Sequence, residues 1–233
     1  MTEGVADGGS PGGAGPPLRR REEVLATAAR LFFEQGYAAT STTDIAHELG
    51  MHRGSIYYYL STKEDLLYEL IQQRYTSGSE LLEALAERGG DALSRLRWLL
   101  EEHIRTVAEN RIPSALALNE ARSLSPERRA RILGENDAYE RAVAGLIAEG
   151  SAAGVIRDDV DPKLAAMALL GAANWLHRWY DQSRGAAPAE VGRQFAAVFT
   201  RGLAPAEPVE ALLDRIESQA RRIAELEAAA SGL

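Results

Sequence analysis

From Leu18 onward, apolar residues recur at helical spacing and β-branched alternation is rare, so the chain reads as all-α. The first periodic stretch runs from about Arg19 to Gln35. Val24, Leu25, Ala28, Leu31 and Phe32 share one face, and Gly36 is its stop. A short helix is expected from Thr43 to about Leu49, closed by Gly50, and a third begins near His52. Ser61 or Thr62 can cap a long fourth helix, with Asp65 supplying an acid to its first turn. The remaining helices are expected at roughly 63–87, 91–109, 113–122, 126–152, 162–181, 188–203 and 209–230. They are separated at Gly89-Gly90, Pro113, Ser125-Pro126, Gly154, Asp161-Pro162, the loop from Ser183 to Pro188, and Pro205 to Pro208. Asp-Pro and Ser-Pro pairs start helices well, because proline is tolerated at the first helical position.

Composition refines this picture at the ends. Residues 1–17 are rich in Gly, Pro and Ala and hold too little apolar surface to offset ordering entropy, which predicts a disordered tail. The 233 residues contain no cysteine, which rules out disulfides and thiolate metal sites and suits a cytoplasmic location. No apolar run is long enough to span a membrane, and the N-terminus lacks a secretory pattern.

The net charge of −8 is unevenly spread. Residues 18–63 carry six cations (Arg19, Arg20, Arg21, Arg30, Arg53, Lys63) against five acids (Glu22, Glu23, Glu34, Asp44, Glu48). The acidic balance therefore lies outside this segment, and a small basic surface limits non-specific DNA affinity without abolishing it.

Two short helices around a Gly-containing turn, between Thr40 and Lys63, fit a helix-turn-helix. Ile45, Ala46, Leu49, Met51 and Ile56 can bury against the first helix, and Gly50 can take the left-handed conformation at the turn. His52, Arg53, Gly54, Ser55, Tyr58 and Tyr59 are then left for a partner surface. The stretch resembles the signature of the TetR family of transcription regulators. The resemblance is carried by a threonine-rich entry, Asp44-Ile45-Ala46, Gly50, Gly54-Ser55-Ile56-Tyr57, the following aromatic pair and Lys63-Glu64. Ala28-Ala29-Arg30-Leu31-Phe32 and Gly36-Tyr37 extend it, and Leu60 stands where the family usually has Phe.

The resemblance implies double-stranded operator DNA as the partner. Thr42, Thr43, Tyr58 and Lys63 would contact phosphates. Arg53 and Ser55 would read bases, because an arginine fork can take guanine O6 and N7 together. Gly54 would let the backbone come close, and Arg19 to Arg21 could reach phosphates or the minor groove. Tyr57 is expected to be part core while still belonging to the DNA-binding set, and Tyr59 to face the DNA backbone with Tyr58. His52 reads equally as a base contact or as a solvated side chain.

Four regions follow from this reading. They are the tail 1–17, a helix-turn-helix domain 18–62, a helical effector and dimerisation domain 63–204, and a heptad-patterned helix 205–233. In the third, Gly171 through Tyr180 and then Val191 through Phe199 resemble the last two helices of a TetR branch that senses acyl-coenzyme A thioesters. This implies a homodimer paired through those helices and a ligand pocket reached by Asn174, Trp175 and Arg178. Trp175 and Trp179 read equally as interface aromatics. Trp98, His103, Leu116, Asn119, Arg122 and Tyr139 are further pocket candidates, since polar groups among them would sit unpaired in a plain core.

No metal is expected, because Glu101, Glu102 and His103 are adjacent on a helix and point in different directions. No nucleophile elbow or phosphate-cradling loop suggests an enzyme, and no cofactor is implied. In the last region Val209, Leu212, Ile216, Gln219, Ile223, Leu226 and Ala230 step by three and four, flanked by Arg222 and Glu227. That seam fits a coiled coil between subunits or a helix folded back on its own domain.

Overall fold

A computed structural model describes residues 17–59, 62–183, 185–206, 213 and 215–223. Most of the expected tail, Leu60, Ser61, and the seam positions Val209, Leu212, Leu226 and Ala230 with Glu227 lie outside the described residues.

The described residues are helical, without strands. Helix α1 (Pro17–Gln35) presents Val24, Ala28, Leu31 and Phe32 to the interior and ends at Gly36, whose φ of 88° is open to glycine at little cost. Helix α2 (Thr42–Glu48) is started by Ser41. The Ser41 hydroxyl accepts from the Asp44 amide, and the Asp44 carboxylate accepts from the Ser41 amide, so two otherwise unpaired donors are satisfied together. Gly50, at φ 61°, turns the chain into a 3-10 turn, Arg53–Tyr58, where a third helix was expected. Helix α3 (Lys63–Glu87) begins with the same reciprocal cap, here Thr62 and Asp65.

The sensor half comprises α4 (Ala92–Glu109), α5 (Arg111–Glu120), a 3-10 turn at Ala121–Ser123, α6 (Pro126–Ala152), α7 (Pro162–Asn174), α8 (Leu176–Trp179) and α9 (Pro188–Leu203). Pro126, Pro162 and Pro188 each stand in a first turn, as the Ser-Pro and Asp-Pro reading expects for the first two.

Two boundaries differ from expectation. Pro113 does not break the chain: it sits in the first turn of α5, where its missing N–H would be unpaired anyway. The single helix expected over 162–181 is interrupted at Trp175. The Asn174 carbonyl is taken by the His177 ring at 2.7 Å, and the Arg178 amide bonds three residues back to Trp175, so the turn tightens there.

Three apolar clusters hold these elements together. The first joins α1, α2 and Ile56 to Leu66, Leu67, Leu70 and Ile71 of α3, and continues into Leu116, Leu124 and Ile132. Fully burying side chains such as Phe32, Ile45 and Ile56 contributes about 1.5–3 kcal/mol each. The reading head therefore shares its core with the sensor half rather than hanging from a linker. The second cluster packs α4 with α6, α7 and α9, and the third joins Ile104 and Val107 to Leu176, Tyr180 and Val191. Helices α4 and α9 lie close together at Gly192, where a Cβ would lie 2.7 Å from the Glu101 carbonyl oxygen.

Candidate operator-reading surface and effector cavity

The 3-10 turn carries Arg53, Gly54, Ser55 and Tyr58, four of the residues expected to face DNA. His52 starts it: its Nδ1 accepts from the Gly54 amide at 3.2 Å. That leaves the ring's Nε2 carrying the proton and turned away from the cap, on an exposed residue. Ile56 is fully buried and pins the turn to the core. Arg53, Gly54 and Thr43 are exposed, and Ser55 and Thr42 are partly exposed.

The three tyrosines divide differently from the sequence expectation. Tyr57 is 48% exposed rather than part of the core, and its hydroxyl meets Thr42 Oγ1 at 3.3 Å. Hydrogen bonding to Thr42, and then the nearby Arg53 charge, holds its phenol below the usual value. Tyr58 is 89% exposed, as expected. Tyr59, expected to face DNA, is half-buried and packs on the first core cluster. In a short 3-10 turn successive side chains are about 120° apart, so Ile56 and Tyr59, three positions apart, share the inner side.

Most cations here are already paired. Arg19 and Arg20 meet Glu23, Arg21 meets Glu69, and Arg30 meets Glu34 and Glu48. Lys63 Nζ donates to the carbonyls of Tyr37 and Thr40, both at 2.9 Å, and lies 4.1 Å from the centre of the Tyr37 ring. Two of its three N–H groups thus tie the loop after α1 to the start of α3, a role the sequence reading missed. Arg53 is the cation of this surface whose described contact is the Tyr57 phenol rather than a carboxylate or carbonyl.

In the sensor half, four polar side chains from four helices meet among apolar ones. Arg74 of α3 donates to Asn174 Oδ1 of α7 at 2.7 Å. His103 of α4, 3% exposed, lies 3.1 Å from the Tyr139 hydroxyl of α6, and its Nε2 has no partner. Burial, and then the Arg74 charge, lowers the His103 pKa to about 3, so the ring is neutral. Burial likewise raises the phenols of Tyr139 and Tyr75 and disfavours the charged form of Arg74. A cavity of about 120 Å³ opens beside Arg74, Tyr75, Gly78 and Tyr139. Gly78 keeps it open next to the ring, since a Cβ there would sit 3.5 Å from Tyr139 Cδ2.

Of the expected pocket residues Tyr139 lines this cavity, His103 and Asn174 stand behind it through their contacts with Tyr139 and Arg74, and Arg74 was not expected. Its signal was available: it follows buried Leu67, Leu70 and Ile71 and precedes buried Gly78 on one helical stripe.

The other pocket candidates fall elsewhere. Leu116, Asn119 and Arg178 line a separate cleft of about 360 Å³ between α1 and the α5–α8 surface, beside Phe33, Arg111 and His177. The two sites touch through His177, whose Nδ1 holds the Asn174 carbonyl and whose carbonyl accepts from Arg111 Nε at 2.9 Å. Trp175 is 58% exposed, outside both cavities, with the Arg178 guanidinium 5.7 Å from its ring. Two further expectations are corrected. Trp98 packs on the second cluster beneath Arg88, and Arg122 is exposed on the 3-10 turn; neither lines either cavity. Helical spacing placed both on pocket-bearing segments but does not say which way each side chain turns.

The reading head and the cavity are mechanically joined. Helix α3 carries Lys63 at one end and Arg74 three turns later. The start of α6 clamps the start of α3: the Ser125 amide donates to Glu64, and Arg128 pairs with Glu64 and Asp65. These bonds hold both carboxyls below their usual range. On α7 to α9, Leu164, Met167, Trp175, Trp179 and Val198 are exposed apolar residues.

Comparison with known proteins accounts for this architecture. Residues 24–70 match the model of bacterial regulatory proteins of the tetR family, and residues 89–203 that of the tetracyclin repressor-like C-terminal domain. A transcriptional regulator of the TetR/AcrR family from Thermobifida fusca YX-ER1 is 37% identical, over 79% of this chain and 98% of that one, with a TM-score of 0.61. AibR, solved with isovaleryl coenzyme A and operator DNA, is 27% identical over 81% of this chain and 100% of its own, with a TM-score of 0.68. The HTH-type transcriptional repressor KstR2 of Rhodococcus jostii is 27% identical over 79% of this chain and 91% of its own. The chain belongs to the TetR family of transcription regulators.

Proposed function

We propose that this protein is a repressor that grips a near-palindromic operator as a homodimer and lets go when an acyl thioester occupies the sensor half. The observation that carries this reading is α3, a single helix fixed to the reading head at Lys63 and lined up with the cavity at Arg74. A ligand that moves Arg74 or Tyr139 displaces the α3–α6 clamp and with it the reading head. The exposed apolar face of α7 to α9 supplies a surface for a second copy, which places two reading heads on one duplex. Operator half-sites lie about 34–36 Å apart, so a change of a few ångströms in their separation costs one half-site. The thioester is supported by AibR, whose solved complex contains both such a ligand and operator DNA. The working site of such a regulator is the cytoplasm; among the described residues no helix is long and apolar enough to cross a membrane.

The test is a gel shift and light scattering on DNA from the protein's own upstream region. The expected result is a dimer on a two-fold site, released by a coenzyme A thioester. Arg53→Ala should cost about 1–3 kcal/mol on that site and relax preference at one base pair per half-site. A monomeric mass at micromolar concentration, or Arg53→Ala with sequence preference intact, would refute the assignment.

A further inference from the structure

The cavity beside α3 has a polarity that a plain acyl chain does not explain. Arg74 enters it from an otherwise apolar stripe, with buried Leu70, Ile71 and Gly78 as its neighbours on the helix. Among the described residues its guanidinium makes one hydrogen bond, to Asn174, and its other N–H groups are not sealed from solvent. Its remaining described company is aromatic: the Tyr75 ring at 5.9 Å and the Tyr139 ring on the facing wall. Among the described residues no carboxylate forms an ion pair with it. Glu135, also on the wall, is held instead by Gln72 at 3.3 Å and Arg131 at 3.4 Å. A guanidinium stays charged in any protein environment, so one that is partly withdrawn from water beside a cavity favours an anion there. Behind it, His103 is neutral, so the carboxylate on this wall is that of Glu135, which Gln72 and Arg131 hold.

We propose that this cavity seats a small carboxylate against Arg74, making the effector a short acyl group with a second, terminal carboxylate. The size agrees: about 120 Å³ is small beside the roughly 300–1,000 Å³ of ordinary ligand pockets and suits a short group. The Tyr75 and Tyr139 rings flank the methylenes that follow the carboxylate. Gly78 leaves the room for them. The inference rests on the sensor reading above for the thioester end alone; the carboxylate seat stands on Arg74 itself.

Calorimetry on the full chain separates the two. The probes are succinyl- and glutaryl-coenzyme A, the uncharged butyryl- and isovaleryl-coenzyme A, and free succinate and glutarate. The wild-type protein should bind the carboxylate-bearing thioesters at least tenfold tighter than the uncharged ones. Arg74→Gln should erase that preference, and Arg74→Lys should restore part of it. Equal or tighter binding of the uncharged thioesters overturns the carboxylate seat while leaving the thioester-released repressor in place. Binding of free glutarate but of no thioester, abolished in Arg74→Gln, supports the seat and removes the thioester instead. No binding by any probe overturns both. If Arg74→Gln fails to fold by circular dichroism, the wild-type ranking and the Arg74→Lys protein still decide.

Discussion

Lys63 provides a direct test of how the reading head is held. Its ammonium bonds the Tyr37 and Thr40 carbonyls and lies over the Tyr37 ring, closing the loop that α1 ends in. Lys63→Met keeps the apolar stem and removes the charge. Hydrogen bonds to charged groups contribute about 1.5–3 kcal/mol each, and the contact with the ring adds about 0.5–1 kcal/mol. The losses are not additive here. The Tyr37 carbonyl keeps the Thr40 amide at 3.3 Å, so the Thr40 carbonyl, on a residue only 1% exposed, carries most of the loss. A net cost of about 2 kcal/mol is expected. Because the reading head shares its core with Leu116, Leu124 and Ile132, a whole-molecule probe registers that loss. At about 2–4 °C per kcal/mol for a chain of this size, the melting point should fall by about 4–8 °C without DNA present. Urea unfolding followed by circular dichroism, with the slope m compared between the two proteins, gives the same quantity independently. Unchanged midpoints in both would show that the two carbonyl bonds do not hold the loop, and would return Lys63 to a purely DNA-facing role.

Three further outcomes follow from packing and protonation. Gly192→Ala should destabilise by about 1–3 kcal/mol, because its Cβ would press on the Glu101 backbone and force α4 and α9 apart. Gly145→Ala, in an exposed helical position with nothing within 4 Å, should instead stabilise by about 0.5–1 kcal/mol in the same melt. His103, with a folded pKa of about 3 against about 6.5 unfolded, takes up a proton more readily when the chain unfolds. Its contribution is therefore constant above about pH 6.5 and falls by up to about 1.4 kcal/mol per pH unit as the pH drops below it. His103→Gln should flatten the stability profile between pH 6.5 and 5, and a variant whose slope matches wild type would refute the burial of a neutral ring.

The helices were legible because their ends carry chemistry that sequence displays. Ser125-Pro126 and Asp161-Pro162 start helices, and Gly36 and Gly50 turn left-handed where a side chain would be strained. The break at Trp175 was not legible, since neither Gly nor Pro marks it and its cause is a histidine ring three residues from the carbonyl it captures. The sensor site was half legible for a related reason. His103, Tyr139 and Asn174 stand out as polar groups on helices that must pack. Arg74 hid because arginines on helix faces ordinarily reach solvent with their heads while burying their stems. The tyrosine run was divided wrongly because a 3-10 turn repeats every three residues, and that turn was expected to be an α-helix.

The arrangement of charge explains how an acidic protein can be a selective DNA reader. Four of the six cations between Leu18 and Lys63 are neutralised by carboxylates, and Lys63 is turned onto carbonyls. Counterion release scales with the phosphates neutralised, so such a surface gains little from DNA of arbitrary sequence. On the proposed reading affinity then comes from a few well-placed groups, Arg53 foremost, and these are useful only while their positions match the grooves. A reader that relies on placement rather than charge is also one that a small rotation can disable. In the proposed mechanism the ion pairs linking Glu64 and Asp65 to Arg128 put that placement under the control of α6, which carries Tyr139 to the cavity wall. Weak general attraction and tight mechanical linkage are thus two sides of one design: without the first, moving α3 would leave the protein clinging to its operator.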